Sequence, residues 1–119
     1  MRARLLLFLP LVSPLSAATF TWGVSTDSNV SVKSNWAGNR APGGNPDLQF
    51  GSSSELNVYF DFGSGAATTV DDLTFTAAAG SFTIESDGSG VLSIGNVDNQ
   101  STSLQIFDIS LEFQNKETV

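Results

Sequence analysis

The sequence predicts an all-β protein, a short parallel β-helix (solenoid) with an N-terminal aromatic cap, preceded by a signal peptide. Two observations predict this fold class. Ser, Thr, Asn, Gly and Asp, which favour turns and strand surfaces over helix interiors, make up about half of residues 19–119. Short apolar-polar-apolar triplets recur between clusters of these residues, and several triplets are evenly spaced. The alternative is a small antiparallel β-sandwich, whose short strands recur about every 8–12 residues.

Residues 1–18 have the pattern of an export signal. The chain starts Met-Arg-Ala-Arg, continues with an apolar stretch from Leu5 to Val12, and reaches small residues that end at Ala18. We expect cleavage before Thr19. The apolar stretch is far shorter than the roughly 20 residues of a membrane-spanning helix. The pattern therefore predicts a secreted or cell-surface protein with no membrane insertion after cleavage. The alternative is a buried N-terminal helix of a cytosolic protein.

Composition excludes several classes of chemistry. The chain has no cysteine and no histidine, which excludes disulfides, thiolate or imidazole metal sites, cysteine nucleophiles and a Ser-His-Asp triad. It has 12 acidic and 5 basic residues and a net charge of −7. Two of the basic residues lie in the predicted signal. An acidic surface of this kind repels phosphate, so we expect no nucleic-acid partner and no anionic lipid surface.

Residues 19–50 are predicted to form an N-terminal cap region. The region starts with the alternating strand pattern Thr-Phe-Thr-Trp and ends with a second strand, in which Leu48 and Phe50 share one face. A turn-rich segment, Ala-Pro-Gly-Gly-Asn-Pro, separates Trp36 from that strand. The first apolar layer of a coil stack must be covered, and large aromatic side chains bury much area at once. We therefore expect Trp22 and Trp36 to close the N-terminal end.

Residues 51–119 are predicted to form the repeat region. Leu73, Leu92 and Leu111 are evenly spaced with a period of roughly 20 residues, and Phe82 and Leu104 form a second series with a slightly longer interval. In a solenoid, such residues stack inward to form one continuous core. The triplets are Val58-Tyr59-Phe60, Leu73-Thr74-Phe75, Phe82-Thr83-Ile84, Leu92-Ser93-Ile94, Leu104-Gln105-Ile106 and Leu111-Glu112-Phe113. The predicted structural core is Trp22, Trp36, Leu48, Phe50, Leu73, Phe75, Leu92, Ile94, Leu111 and Phe113.

One order of short motifs follows the predicted signal: Phe20-Thr21-Trp22, Asn35-Trp36, Pro42, Asp47-Leu48-Gln49-Phe50 and Val70-Asp71-Asp72-Leu73-Thr74-Phe75. It resembles the N-terminal region of bacterial autotransporter-associated β-strand repeat proteins, some of which carry a sorting tail of the PEP-CTERM type. The resemblance implies a right-handed parallel β-helix passenger displayed at or beyond the outer membrane. Members of this family are much longer and end in a membrane barrel or an anchoring tail. We therefore expect the repeat region here to be truncated.

The resemblance implies an exported structural or adhesion-type passenger segment, and we expect no catalysis and no cofactor or metal. Its partners would be extracellular polysaccharide or another cell-surface ligand, and an open β edge would permit self-association. One alternative is a small secreted carbohydrate-binding module in which Trp22, Trp36 and Tyr59 stack on sugar rings. A further alternative is a fragment of a polysaccharide-degrading β-helix.

The acidic residues offer weak candidates for chemistry. Asp71 and Asp72 are neighbours on a predicted strand, so we expect them on opposite faces and not on one substrate atom. The turns Asp87-Gly88-Ser89-Gly90 and Asn96-Val97-Asp98-Asn99 offer oxygen ligands of the kind calcium takes, but neither matches a known calcium loop. Ordinary turn chemistry, in which Asp and Asn bond their own backbone, explains these two segments without a metal.

Overall fold

The computed structural model describes residues 18–23, 27–61, 67–88 and 90–114, and these form eight β-strands and one short 3₁₀ helix. The predicted signal, apart from Ala18, lies outside the described residues. Within the described ranges, no helix is long and apolar enough to cross a membrane. The strands are β1 (Thr19–Trp22), β2 (Asp47–Phe50), β3 (Asn57–Phe60), β4 (Ala67–Phe75), β5 (Thr83–Ser86), β6 (Val91–Asn99), β7 (Ile106–Asp108) and β8 (Ser110–Phe113), and the 3₁₀ helix spans Lys33–Asn35.

All pairs between these strands are parallel. One sheet has five strands in the order β1-β2-β4-β6-β8, and the other has three in the order β3-β5-β7. Strands of the two sheets alternate along most of the chain, so successive circuits add strands to both growing stacks. The predicted β-solenoid is confirmed, with about three turns, and the antiparallel sandwich is excluded.

The core consists of ladders of inward residues at matching positions of successive coils. Alternation along each strand puts apolar residues inside and polar residues outside, as the triplets predict. The longest ladder is Phe20–Leu48–Leu73–Val97, and an aromatic ladder, Trp22–Phe50–Phe75, lies beside it. The aromatic ladder is in direct contact, because the Phe50 and Phe75 rings stack with centroids 5.5 Å apart. Phe82, from the coil corner before β5, lies 5.3 Å from Phe50 and completes this aromatic centre.

Successive coils differ in length, which corrects the predicted repeat. Along the five-stranded sheet, the interval between paired residues shortens at every step from the β1–β2 pair to the β6–β8 pair. The predicted even spacing is right for the last step, where Leu92 pairs with Leu111. It is wrong for the step before, since Leu73 pairs with Val97 and Leu92 pairs with Thr68. The reason is that β4 and β6 each contribute inward residues to two different ladders.

Strand β4 changes direction in its middle. Val70 and Leu73 are both fully buried although they are three positions apart, and Asp71 and Asp72 between them are half-buried. In a flat strand, residues at this separation point to opposite faces. The first half of β4 therefore stacks with the first half of β6, which in turn pairs with β8. The second half of β4 pairs with β2. The five-stranded sheet covers two sides of the coil and the three-stranded sheet covers another.

The predicted phase of the segment around β7 is wrong. Leu104 and Ile106 are predicted to point inward, but they are 74% and 46% exposed. Phe107 takes the inward position instead, opposite Ile84, and packs against the core. A shift of one residue moves every side chain of a strand to the other face. Gln105 fixes this phase, because its amide nitrogen donates to the Gly80 carbonyl at 2.8 Å and its amide oxygen accepts the Phe82 N–H at 2.7 Å.

The last two predicted core residues occupy the expected ladder positions without being buried. Leu111 follows Leu92, and Phe113 follows Ile94, so both side chains are in register with the core below. They are 37% and 62% exposed. The reason is that no further coil lies over β8 within the described part of the chain.

Candidate functional site

Four aromatic rings close the N-terminal end of the solenoid: Phe20, Trp22, Trp36 and Phe50. The rings of Trp22 and Trp36 lie 5.1 Å apart at 80°, and Phe20 meets Trp36 edge-on at 6.5 Å. Phe50 lies beneath both indoles, 6.2 Å from Trp22 and 6.0 Å from Trp36. Edge-to-face and tilted pairs of this kind are the favoured geometry of aromatic contacts. The predicted aromatic cap is therefore confirmed.

The candidate stacking residues are not gathered on one surface. Trp22 and Trp36 are each 1% exposed, and their ring N–H groups donate to the carbonyls of Glu55 at 3.0 Å and Val30 at 2.8 Å. Neither indole presents a face to solvent in this structure. Tyr59 is half-buried at the middle of β3, where Val58 and Phe60 on either side point inward. Its ring therefore lies outside the coil, separate from the two tryptophans.

A buried asparagine holds the cap loop in place. The Asn35 amide nitrogen donates to the Asp27 carboxylate and to the Asn29 carbonyl, each at 2.8 Å, and the Asn35 amide oxygen accepts the Asp27 N–H at 3.2 Å. Within the described ranges, Asn35 is the one polar residue that is buried. The Asn29 N–H first, and the Asn35 amide second, stabilise the Asp27 carboxylate, so the pKa of Asp27 lies below its ordinary value of 3.8.

Backbone bonds from the same loop also cover the outer edges of the first coil. The Ala37 N–H donates to the Thr21 carbonyl of β1 at 2.8 Å. On the neighbouring side, the Val30 N–H donates to the Tyr59 carbonyl at 2.9 Å, and the Tyr59 N–H donates to the Ser28 carbonyl at 2.7 Å. These bonds occupy groups that a further strand would otherwise use. The N-terminal end is therefore closed both in its core and along its strand edges.

Three carboxylates converge on one side of the solenoid, which corrects the expectation for two of them. Oxygen atoms of Asp47, Asp71 and Asp72 all lie within 4.8 Å of one another. Asp71 and Asp72 do not diverge as predicted, because β4 bends between Val70 and Leu73. The Asp72 N–H also donates to the Asp47 carboxylate at 3.1 Å. Asp47 was not predicted to join this cluster. The sequence signal for the bend in β4 is the acidic pair Asp71-Asp72, which lies between two apolar residues.

The chemistry open to this acidic cluster is limited. Three carboxylates at this separation match the oxygen ligands that hard divalent cations take. All three residues are half-buried, so each carboxylate keeps part of its surface in water. The cluster is thus an acidic surface feature whose carboxylate oxygens lie close enough together to bind one hard cation.

The structure describes only part of the first calcium candidate, the segment 87–90, and all of the second, the segment 96–99. Ser89 of the segment 87–90 lies outside the described residues. In the segment 96–99, the Asn99 side chain accepts the Ser101 N–H at 3.1 Å and donates to the Ser103 carbonyl at 3.0 Å, while Asp98 accepts the amide of Gln100 at 2.9 Å. These oxygens are used in local turn bonds. The expectation that the segment 96–99 is a turn is wrong, because these residues form the end of β6 and their side chains bond the turn that follows, residues 100–103.

A groove of about 380 Å³ lies beside the turn-rich loop that precedes β2. Its lining includes Pro42 and Pro46 of this loop and Thr68 and Thr69 of β4. At its end, the Asp61 carboxylate accepts hydrogen bonds from both the N–H and the hydroxyl of Ser31. The groove therefore offers hydroxyl groups and one engaged carboxylate, which suit hydrogen bonding to a neutral polar group. Its lining contains no exposed aromatic ring.

Comparison with protein families, with curated proteins and with solved structures finds no match for this chain. The structure offers four candidate surfaces: a closed aromatic end, an acidic cluster, a small polar groove and an open apolar end.

Proposed function

We propose that this chain is an exported structural, adhesion-type passenger segment of a bacterial cell-surface or secreted protein. The observation that carries the proposal is the position of the closed end. Strand β1 begins at Thr19, directly after the predicted cleavage point, and the cap closes over it. An exported solenoid whose leader is removed needs such an end, because its first coil becomes the end of the stack. The resemblance to β-strand repeat passengers supports the same function.

The outward surface supports a role in display rather than catalysis. Outward residues of one side stack into the polar ladder Thr21–Gln49–Thr74–Asp98. A parallel solenoid repeats such positions at the spacing of adjacent strands, about 4.8 Å, and so offers a regular row of hydrogen-bonding groups. Hydroxyl, amide and carboxylate groups in a row suit the hydroxyl groups of an extended polysaccharide. In this proposal the tryptophans are structural and take no part in ligand stacking.

The export part of the proposal is tested in a Gram-negative host. The full chain, expressed with its own residues 1–18, should be recovered outside the cytoplasm with Thr19 as its first residue by mass spectrometry. A matched variant with Leu6→Asp and Leu7→Asp should stay inside the cell at full length, because the charges interrupt the apolar stretch. Recovery of the unprocessed parent chain only from the cytoplasm would contradict export.

The binding part is tested with immobilised polysaccharides, for example cellulose, chitin, mannan and pectin. The double variant Gln49→Ala and Thr74→Ala should lose binding, whereas Asn57→Ala with Thr83→Ala, an outward amide and threonine paired on the other sheet, should keep it. Tryptophan emission should not shift on binding, because both indoles are buried. A shift on adding polysaccharide would favour the carbohydrate-binding module instead. Absence of binding to every polysaccharide would remove the adhesion assignment and leave a structural role.

A further inference from the structure

The bend in β4 leaves a gap between the first half of this strand and the turn-rich loop. The described pairing of β2 with β4 starts at Leu48 and Leu73, so among the described residues positions 67–70 pair only with β6. The loop 41–46 takes the place where β2 would continue beside them. Its two prolines have no N–H to donate to the strand, and Gly44, with φ +70°, turns the chain out of the extended conformation. The groove of about 380 Å³ lies between this loop and the strand.

The polar groups of the groove are suited to receive hydroxyl groups. Both oxygens of the Asp61 carboxylate accept hydrogen bonds from Ser31, one from its N–H at 3.0 Å and one from its hydroxyl. A carboxylate has about four acceptor sites, so Asp61 keeps about two for a ligand, and the bonds from Ser31 hold them in a fixed direction. Thr68 and Thr69 line the same groove, and the hydroxyl of a threonine can both donate and accept.

The groove also offers apolar surface. Val30 and Pro42 line it and are half-buried, so each keeps part of its side chain accessible. Leu48, Phe60 and Val70 border it from the core side and are at most 1% exposed, so the groove ends at the surface of the core. A sugar ring presents the same two kinds of surface, because C–H groups cover its faces and hydroxyl groups surround its rim.

We propose that this groove binds one unit of a neutral sugar, held mainly by hydrogen bonds to its hydroxyl groups. The inference rests on the proposed adhesion function, and it adds to the outward ladder a separate site for a single end or branch unit of a polysaccharide. The volume lies at the lower end of the range of about 300–1,000 Å³ for small-molecule sites, which suits one ring rather than a long chain. None of the described residues that line the groove is basic, so the charge of Asp61 repels an acidic sugar.

The experiment is an NMR titration of the exported chain with small probes. The neutral probes are the methyl glycosides of glucose, mannose and galactose, methyl glucuronide is the acidic one, and glycerol is a polyol without a ring. At least one neutral glycoside should shift the amide signals of Ser31 and Thr69, whereas glycerol should leave them unchanged. The glucuronide should bind about fivefold more weakly than the glucoside, because like charges about 4 Å apart in water cost about 1 kcal/mol.

Two substitutions test the groove, each with a matched control. Thr69→Val removes one hydroxyl at nearly constant shape and should weaken binding about 2–10-fold, the net value of one hydrogen bond. Thr83→Val makes the same change on β5, outside the groove, and should leave binding unchanged. Asp61→Asn should weaken binding about tenfold and remove the discrimination against the glucuronide. Asp108→Asn, at another exposed aspartate, gives the same net charge and should keep both properties. Unchanged circular dichroism should confirm that the variants fold.

The sugar site is refuted if no neutral glycoside shifts the signals of the groove, or if glycerol or the glucuronide binds as tightly as the best glycoside. Equal effects of Thr69→Val and Thr83→Val would also refute it. Free glycosides report on the groove, whereas immobilised polysaccharides with the double variant at Gln49 and Thr74 report on the ladder. Binding of polysaccharides without binding of glycosides would therefore remove the groove site and leave the proposed function intact. Binding of glycosides alone would remove the ladder and keep the groove.

Discussion

Replacing Trp36 by alanine should test the cap most directly. The side chain is 1% exposed and contacts Phe20, Trp22 and Phe50 with centroid distances between 5.1 and 6.5 Å. A buried aromatic ring removes roughly 150–250 Å² from water, and at about 25 cal/mol per Å² this is an upper estimate of about 4–6 kcal/mol. Measured truncations of buried Phe and Trp give about 3–5 kcal/mol, and we expect Trp36→Ala to fall in that range.

The hydrogen bond adds a separable contribution to the effect of this substitution. The Trp36 ring N–H donates to the Val30 carbonyl at 2.8 Å. Trp36→Phe keeps an aromatic ring and removes the donor, so it should lower the stability by less than Trp36→Ala does. Leu104→Ala removes a side chain that is 74% exposed, and it should change the stability by about 0.5 kcal/mol or less.

The assay is thermal unfolding followed by circular dichroism. For a domain of this size, about 1 kcal/mol shifts the melting temperature by roughly 4–8 °C. Trp36→Ala should therefore lower it by at least about 12 °C, with Trp36→Phe in between and Leu104→Ala close to the parent chain. A melting temperature for Trp36→Ala equal to that of the parent would refute the cap and indicate a solvent-facing indole.

Three further substitutions test local features. Asn35→Ala should destabilise the chain by about 1–3 kcal/mol in urea unfolding, because it removes a buried side chain that bonds Asp27 and the Asn29 carbonyl. The lowered pKa of Asp27 means that its carboxylate stabilises the fold above about pH 4 and that this contribution is lost as the pH falls through the folded-state pKa. Asp27→Asn should therefore flatten the fall in stability as the pH drops below about 4. Gly44 has φ +70°, so Gly44→Ala should lower the stability by about 1 kcal/mol in the same assay.

The cap and the main ladders could be predicted from sequence because they depend on local patterns. Alternation in β1 and β2 fixed which residues point inward, and large aromatic residues at the start of a coil stack have few places to go other than its end. Burial of Trp22, Leu48 and Phe50 follows from this alternation alone. The residues that form the ladders were therefore predictable even where their partners in the next coil were not.

The errors in register came from the corners of the coil. At a corner, the set of side chains that points inward changes although the strand continues, as at Asp71 and Asp72. The spacing from Leu73 to Leu92 therefore connects residues of two different ladders. Around β7 the sequence supports two phases, and the choice depends on bonds from Gln105 to a coil that is distant in sequence. The convergence of Asp47 with Asp71 and Asp72 was hidden for the same reason, since it depends on the corner in β4.

The decreasing coil length follows from the difference between the two ends. The first step of the five-stranded sheet, from Phe20 to Leu48, is the longest because its loop also forms the cap and covers the edges of β1 and β3. The last step, from Leu92 to Leu111, is the shortest, and within the described residues it adds strands without a loop that covers them. In a stack where each coil contacts only its neighbours, a coil with one neighbour has the weaker support. Among the described residues, β7 and β8 have a strand partner on one edge and no cap loop on the other, so local opening should start there.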